Sequence, residues 1–413
     1  MAHGKNRTSI SGNPALWTAL AGAVLFLRFP ALVLRPALWA EDGPIFFLQA
    51  RVVGVGAFVI PYAGYLHLIP RAIASAGAML DPGLVPMFYV YCSFALTLAV
   101  VARVFSPRLD LPMKPILALA IVAVPHNGEV FLCPTNIQWI TALALLMTLF
   151  MGDPAGAWEW TADIAVLVGA GLTGPFSVFL APFFLARALR RSTRASWVIF
   201  SAVALAALVQ GTAILNSPRA SPGGIQAPFD AANLAAILSA RIPLELVGAH
   251  GWAFRVGRSA VLLAGAAAWA AVAWSAFSGG KFRAQRIALF LFCILLCVLS
   301  ATRTRDDAWD FRESMNGERY FYLPRVIILW IAALCLCRAS TGWRIAAVAA
   351  TAGVFCAGYK VPYLAGPSYR DAAVQRPEVP WDRYCQQLRA GEEVTVRVSP
   401  GWRFFVPERE APK

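Results

Sequence analysis

The stretch Trp39-Ala-Glu-Asp-Gly-Pro-Ile-Phe-Phe sets two carboxylates, Glu41 and Asp42, directly after the first long apolar run. A carboxylate against apolar surface is costly to keep ionised, so such a pair is uncommon without a reason. The chemistry it could do is proton abstraction, with one carboxylate as general base and the other positioning it or binding substrate. Adjacent residues point in different directions on any regular element, which suits that division. A capping role fits equally, because Asp42 precedes Gly43-Pro44 and proline is favoured early in a helix.

Further polar groups fall in apolar surroundings. In Tyr62-Ala-Gly-Tyr-Leu-His-Leu-Ile-Pro-Arg, His67 and Arg71 are four apart and share a helical face. Arg71 lies amid apolar residues and needs an anion, either a phosphate or simply Glu41 or Asp42. The segment Pro125-His-Asn-Gly-Glu-Val-Phe-Leu-Cys-Pro-Thr-Asn-Ile-Gln-Trp gathers His126, Glu129, Asn136 and Gln138. Amides, carboxylates and aromatic faces of this kind hold sugar hydroxyls; a plain turn with capping residues is the alternative. His126 and Glu129 are too few to make a metal site. Gly171-Leu-Thr-Gly-Pro-Phe-Ser permits close backbone approach, to a ligand or to another helix. It lacks the lysine and spacing of a phosphate-binding loop. In Gly317-Glu-Arg-Tyr-Phe-Tyr-Leu-Pro, Arg319 and Tyr320 stand just above an apolar run. There the planar guanidinium suits a lipid phosphate, to which it can make paired bonds. Arg303, Arg305 and Arg312 share their loop with nearby acids and read as a self-paired surface.

The elements that must position these groups are set by composition. Of 413 residues, 59% are hydrophobic and 14% charged, against roughly 25% charged in soluble domains. Apolar runs recur at the length needed to cross a hydrocarbon core of about 30 Å. The fold class is an all-α polytopic membrane protein. Spans are read at 14–35, 84–104, 114–125, 138–151, 162–173, 176–189, 195–215, 258–278, 286–302, 321–338 and 344–363, about 11 crossings give or take one pair. The net charge of +14 resides largely in short clusters between these runs, which is the pattern of membrane orientation and not of nucleic-acid binding. Lys5 and Arg7, 103–114, 187–194, 281–286, and Arg338 with Arg344 then fall on one side, expected to be cytoplasmic with the N-terminus. No cleavable signal peptide is evident in the first run.

The outer segments 36–83, 216–257 and 303–320 exceed simple turns, and the first is expected to carry interfacial helices. Residues 161–189 are too long for one crossing and are interrupted by Gly169, Gly171, Gly174 and Pro175, so two short helices are expected. Non-helical backbone at membrane depth must be buried in protein or line a wet cavity. The breaks at 125–137 and 171–176 therefore predict a polar cavity opening outward. The tail, 364–413, alternates as Val394-Thr-Val-Arg-Val-Ser and predicts a small external β-element apart from the 1–363 transmembrane domain. The eight cysteines lack metal spacing, and only Cys133 and Cys385 fall outside the membrane on one side.

Together the blocks WAEDGPIF, GYLHLIPR, NIQW, GLTGPFS and GERYFYLP, over about residues 15–340, resemble the GT-C superfamily of integral-membrane glycosyltransferases. The resemblance implies a polyprenyl-phosphate sugar as donor and an envelope glycan or lipid as acceptor, with membrane lipids around the chain and no nucleic acid. It implies inverting transfer on the outer face of a bacterial inner membrane, with Asp42 or Glu41 as base and Arg71 and Arg319 on the lipid phosphate. His67 and Tyr320 would then complete the substrate site, and His126, Glu129, Asn136 and Gln138 would orient the sugar. No cofactor is required, although a divalent metal between carboxylate and phosphate is compatible with the scheme. The adjacent Glu-Asp differs from the family's usual acidic forms, leaving the choice of base open. The alternative is a transporter or flippase for lipid-linked sugars, which also uses broken helices around an embedded cavity.

Overall fold

A computed structural model describes residues 13–217, 230–248, 250–253, 255–306, 317–337 and 380–408. The expected span 344–363 lies outside them, as does Arg312. The described chain is mostly helical, and five of its helices are long and apolar enough to cross a membrane: Pro82–Arg103, Arg194–Asn216, Arg258–Phe277, Arg283–Ala301 and Arg319–Leu336.

Helix α1, Pro14–Arg28, opens with Asn13 accepting from the amides of Ala15 and Leu16. It stops at Phe29 because the residue before Pro30 is disfavoured in helical backbone. The apolar run resumes only as the short α2, Pro30–Leu34, so the first expected span is broken. The segment that follows, expected to be external, is a chain of tight turns. It holds 3-10 turns at Ala40–Asp42 and Gly54–Val59, a π turn at Gly43–Phe47, and helices α3 (Leu48–Val52) and α4 (Leu68–Gly77).

Helix α5 spans Val85–Arg103, α6 Lys114–Ala123 and α7 Ile137–Phe150. Thirteen of the residues of α7 are buried, which is why about 21 Å of helix suffices: it runs almost wholly inside the protein. The long run after it divides into α8 (Ala157–Gly169) and α9 (Phe176–Arg191), at the glycines and Pro175. Helices α10 (Arg194–Asn216), α11 (Ala231–Ser239), α12 (His250–Ala253), α13 (Arg258–Phe277), α14 (Arg283–Asp306) and α15 (Arg319–Leu336) follow. In α15, 67% of the apolar window is buried, against 17% in α13 and 22% in α10. Helix α15 is therefore central, beside α6 and α7, while α10 and α13 stand at the periphery. The segment 216–257, expected wholly as an external loop, instead contributes the apolar α11, which packs on α13 and continues as a π turn at Ala240–Leu244.

The tail does fold into a small element: α16 (Asp382–Ala390) and an antiparallel hairpin of β1 (Val394–Val398) with β2 (Trp402–Val406). The predicted alternation holds, with Val394, Val396 and Val398 facing in. This element shares a core with the segment that follows α2. The Ala40 amide donates to the Ser399 carbonyl at 2.6 Å, and Trp381 and Phe404 pack on Phe47. Gly43 is required there, since a Cβ would lie 2.6 Å from the Phe404 ring. Cys133 and Cys385 are both free thiols.

At the arginine-rich end, two acids, the buried Asp163 and the half-buried Asp153, tie the loops down. Asp163 pairs with Arg103 and Arg108, and Asp153 takes Arg187 and Arg191.

Candidate active site

The acidic pair divides as its adjacency suggested. Asp42 is closed to solvent: its Oδ1 accepts from the amide and hydroxyl of Thr135, and its Oδ2 from the Trp39 amide. All three donors belong to loops, so Asp42 fastens the segment after α2 to the 124–136 break. As a base it is corrected by this geometry, because its oxygens are filled and covered. Glu41 is only half-buried and accepts from the Tyr62 hydroxyl at 3.0 Å.

Tyr62 and Tyr65 form a two-residue turn through Ala63 and Gly64, both with positive φ, the geometry that closes a tight antiparallel pair. Directly opposed residues project to one side, so the two phenols stand together. Burial first, then the Glu41 carboxylate, pushes the Tyr62 phenol well above its usual range, while the Arg319 charge pulls the other way. Burial, then Tyr320, raises Tyr65 to about 12. Both phenols remain protonated donors at neutral pH.

Arg319 enters from the first turn of α15. Its guanidinium pairs with the Glu129 carboxylate, and its amide donates to the other Glu129 oxygen at 3.0 Å. The Arg319 side chain is 28% exposed, enough to meet a ligand, and it lies within electrostatic range of Glu41. Tyr320 rests edge-on against Trp139, 5.5 Å between ring centres. Asn136 donates to the Glu129 carbonyl, fixing the turn that carries the carboxylate. Gln138 donates to the Tyr65 hydroxyl at 3.3 Å, and its Oε1 has no hydrogen-bond partner. Glu41, Tyr62, Tyr65, Glu129, Gln138, Arg319 and Tyr320 thus form one polar cluster with aromatic walls.

Two breaks in the chain meet beside it. Leu68 donates to the Leu172 carbonyl and Gly174 to that of Leu66, while Gln210 of α10 bonds both strands. His67 is drawn into this bridge opposite Thr173, so it sits before α4 and does not share a helical face with Arg71 as expected. The close approach that Gly174 permits is to a side chain: its φ is +81°, and a Cβ would fall 2.6 Å from Gln138 Oε1. Gly174→Ala is expected to cost about 1–2 kcal/mol for the left-handed backbone alone. A thermal midpoint unchanged from the parent would refute that.

Arg71 is not brought into the cluster. It is buried, lies over the Phe46 ring, and donates to Gln49 Oε1 and the Ile60 carbonyl. Its Nε has no partner, and among the described residues it pairs with no carboxylate, neither Glu41 nor Asp42. It holds the segment after α2 from within and is closed to solvent.

His126 is fully buried, its Nδ1 accepting from the Gly128 amide and its ring edge-on to Phe131 and Tyr322. It is a packing residue and does not face the cluster's polar groups. Burial pushes both His67 and His126 down to about 3. Below about pH 6.5 the unfolded chain takes up protons that these folded imidazoles refuse. Stability should therefore fall as pH drops, by up to about 1.4 kcal/mol per pH unit for each histidine. Thermal midpoints between about pH 6.5 and 5 test this. His67→Gln with His126→Gln should flatten the slope, and an unaltered slope would disprove the assignment.

Sequence reasoning passed over three features of the site. Tyr62 and Tyr65 stood in a quoted block but carry no sign of pairing until the turn is seen. Arg28 clamps the frayed end of α6, donating to the carbonyls of Val124 and His126. Glu318 binds two buried arginines, Arg241 at 2.7 Å and Arg325 at 2.5 Å, and Arg325 also donates to the Pro125 carbonyl. Among the described residues, no group of three His, Cys, Asp or Glu side chains could hold a metal ion. No family model, no curated protein and no solved structure matches this chain.

Proposed function

We propose that the protein is an inverting glycosyltransferase of GT-C type, moving a sugar from a polyprenyl-phosphate donor to an envelope glycan or lipid. On this reading it crosses a bacterial inner membrane about eleven times, with the N-terminus cytoplasmic and the cluster and tail periplasmic. One observation carries the proposal: a half-buried carboxylate, Glu41, lies within electrostatic range of a partly exposed arginine, Arg319, between tyrosine and tryptophan rings.

In the reaction, Glu41 takes the proton of the acceptor hydroxyl as its oxygen attacks the anomeric carbon. The bond from that carbon to the phosphate oxygen breaks, and the lipid phosphate leaves with the electron pair. Arg319 meets the charge that develops on it, in surroundings where water screens little. The Tyr62 hydroxyl orients Glu41, Gln138 holds the Tyr65 hydroxyl, and Tyr65, Tyr320 and Trp139 provide faces for the ring. Glu129 keeps Arg319 extended toward the donor.

A deletion strain is expected to accumulate a lipid-linked sugar and to lose one envelope glycan, and a Glu41→Gln copy should fail to restore either. Unchanged lipid-linked sugars and glycans would overturn the proposal. Sugar flux across vesicles without acceptor, retained in Glu41→Gln, would instead indicate a transporter.

A further inference from the structure

At the end of the helices remote from the candidate site, the last turns of α7 and α9 and the first turn of α14 enclose a groove of about 340 Å³. Its walls are apolar, with Phe150, Phe183 and Ala186 among them, and its rim carries Arg187, Arg190, Arg191 and Gln285. Arg187 is 7% exposed, and although Asp153 takes its Nη2, its Nε and Nη1 have no hydrogen-bond partner. Gln285 Oε1 is likewise buried without a partner. Arg191 shares the same Asp153, and Arg190 is exposed and enters no ion pair among the described residues. Three guanidinium groups thus face one carboxylate. Buried donors left unfilled beside an uncompensated positive charge are costly.

We propose that this groove binds an anionic phospholipid. The phosphate takes the open Arg187 donors and Arg190, while an acyl chain lies along Phe150 and Phe183. A free phosphate would satisfy the arginines but leave the apolar walls wet, so the occupant is a lipid and not an inorganic ion. The groove also lies at the end that the basic clusters mark as cytoplasmic, where anionic lipids are attracted to arginines between membrane helices. The site is independent of the sugar-transfer reading, since it shares no residue with it.

The test is retention of lipid by the purified full chain after exchange from vesicles of phosphatidylglycerol and phosphatidylcholine, read by native mass spectrometry. The parent should keep phosphatidylglycerol preferentially. Arg190→Ala should weaken retention about fivefold, the effect of one arginine near an anionic headgroup. Ala186→Phe, which fills the groove and leaves every charge, should abolish it. Both positions are exposed, so thermal midpoints in phosphatidylcholine should match the parent and exclude misfolding. Equal retention of the two lipids would overturn the proposal, as would parental retention by both variants or displacement of the lipid by inorganic phosphate.

Discussion

Glu41→Gln is expected to lower sugar transfer about 10²–10⁴-fold while leaving thermal stability close to the parent. Glutamine keeps the length of the side chain and an oxygen to accept from Tyr62, so the contact that orients the residue survives. What is lost is the ability to receive a proton. Asp42→Asn should give the opposite pattern. Asp42 accepts from Thr135 through one oxygen and from the Trp39 amide through the other. Whichever way the asparagine amide turns, its NH2 group confronts a donor, and a buried donor without an acceptor costs about 1–3 kcal/mol. The first variant should therefore lose rate without stability, and the second stability before rate. Single-turnover assays with a radiolabelled polyprenyl-phosphate sugar, beside thermal midpoints in nanodiscs, separate the two. Full transfer by Glu41→Gln would remove the carboxylate from the chemistry.

This division was half legible in the sequence. Adjacency required the two carboxylates to point apart, but the expected cap does not form: Asp42 makes no side-chain bond to the turn that Gly43-Pro44 opens and accepts from Trp39 and Thr135 instead. Which of them is covered depends on Thr135, more than ninety positions away, and no local pattern encodes that pairing. The membrane class was legible for the opposite reason: hydropathy is a sum over many residues and tolerates local error. The split of the run before Arg191 was legible because glycine and proline act on their own backbone. Arg71 shows the limit of charge reasoning. Burial does demand a partner, but Gln49 and a carbonyl serve in place of a carboxylate, and sequence does not distinguish these. Helix α11 was missed because its apolar run is short and is interrupted by Arg241 and Pro243, and its burial comes from α13.

The largest loss of stability is expected at a residue that touches no substrate. Glu318 is 4% exposed and lies between Arg241, from the π turn after α11, and Arg325, in the second turn of α15. Burial alone would raise its carboxyl, but the Arg325 and Arg241 charges outweigh that and hold it at about 2. Its charge therefore persists at any ordinary pH. Removing one member of a buried ion cluster strands the others, at about 3–5 kcal/mol, a large share of what holds a domain folded. Glu318→Ala strands two guanidinium groups at once, so the upper end of that range is expected. The effect should also reach the candidate site. Arg325 donates to the carbonyls of Pro125 and Arg241, and Glu318 immediately precedes Arg319, so the triad sets how α15 meets the break that carries Glu129. Transfer should fall with stability, unlike in Glu41→Gln. Replacing all three together by Met or Leu removes the stranded charges, and such exchanges are often neutral or stabilising. The triple variant should accordingly be more stable than Glu318→Ala, less any loss from the two carbonyls that Arg325 no longer serves. A Glu318→Ala protein with parental thermal midpoint, or a triple variant worse than the single one, would show that the cluster does not hold α15 in place.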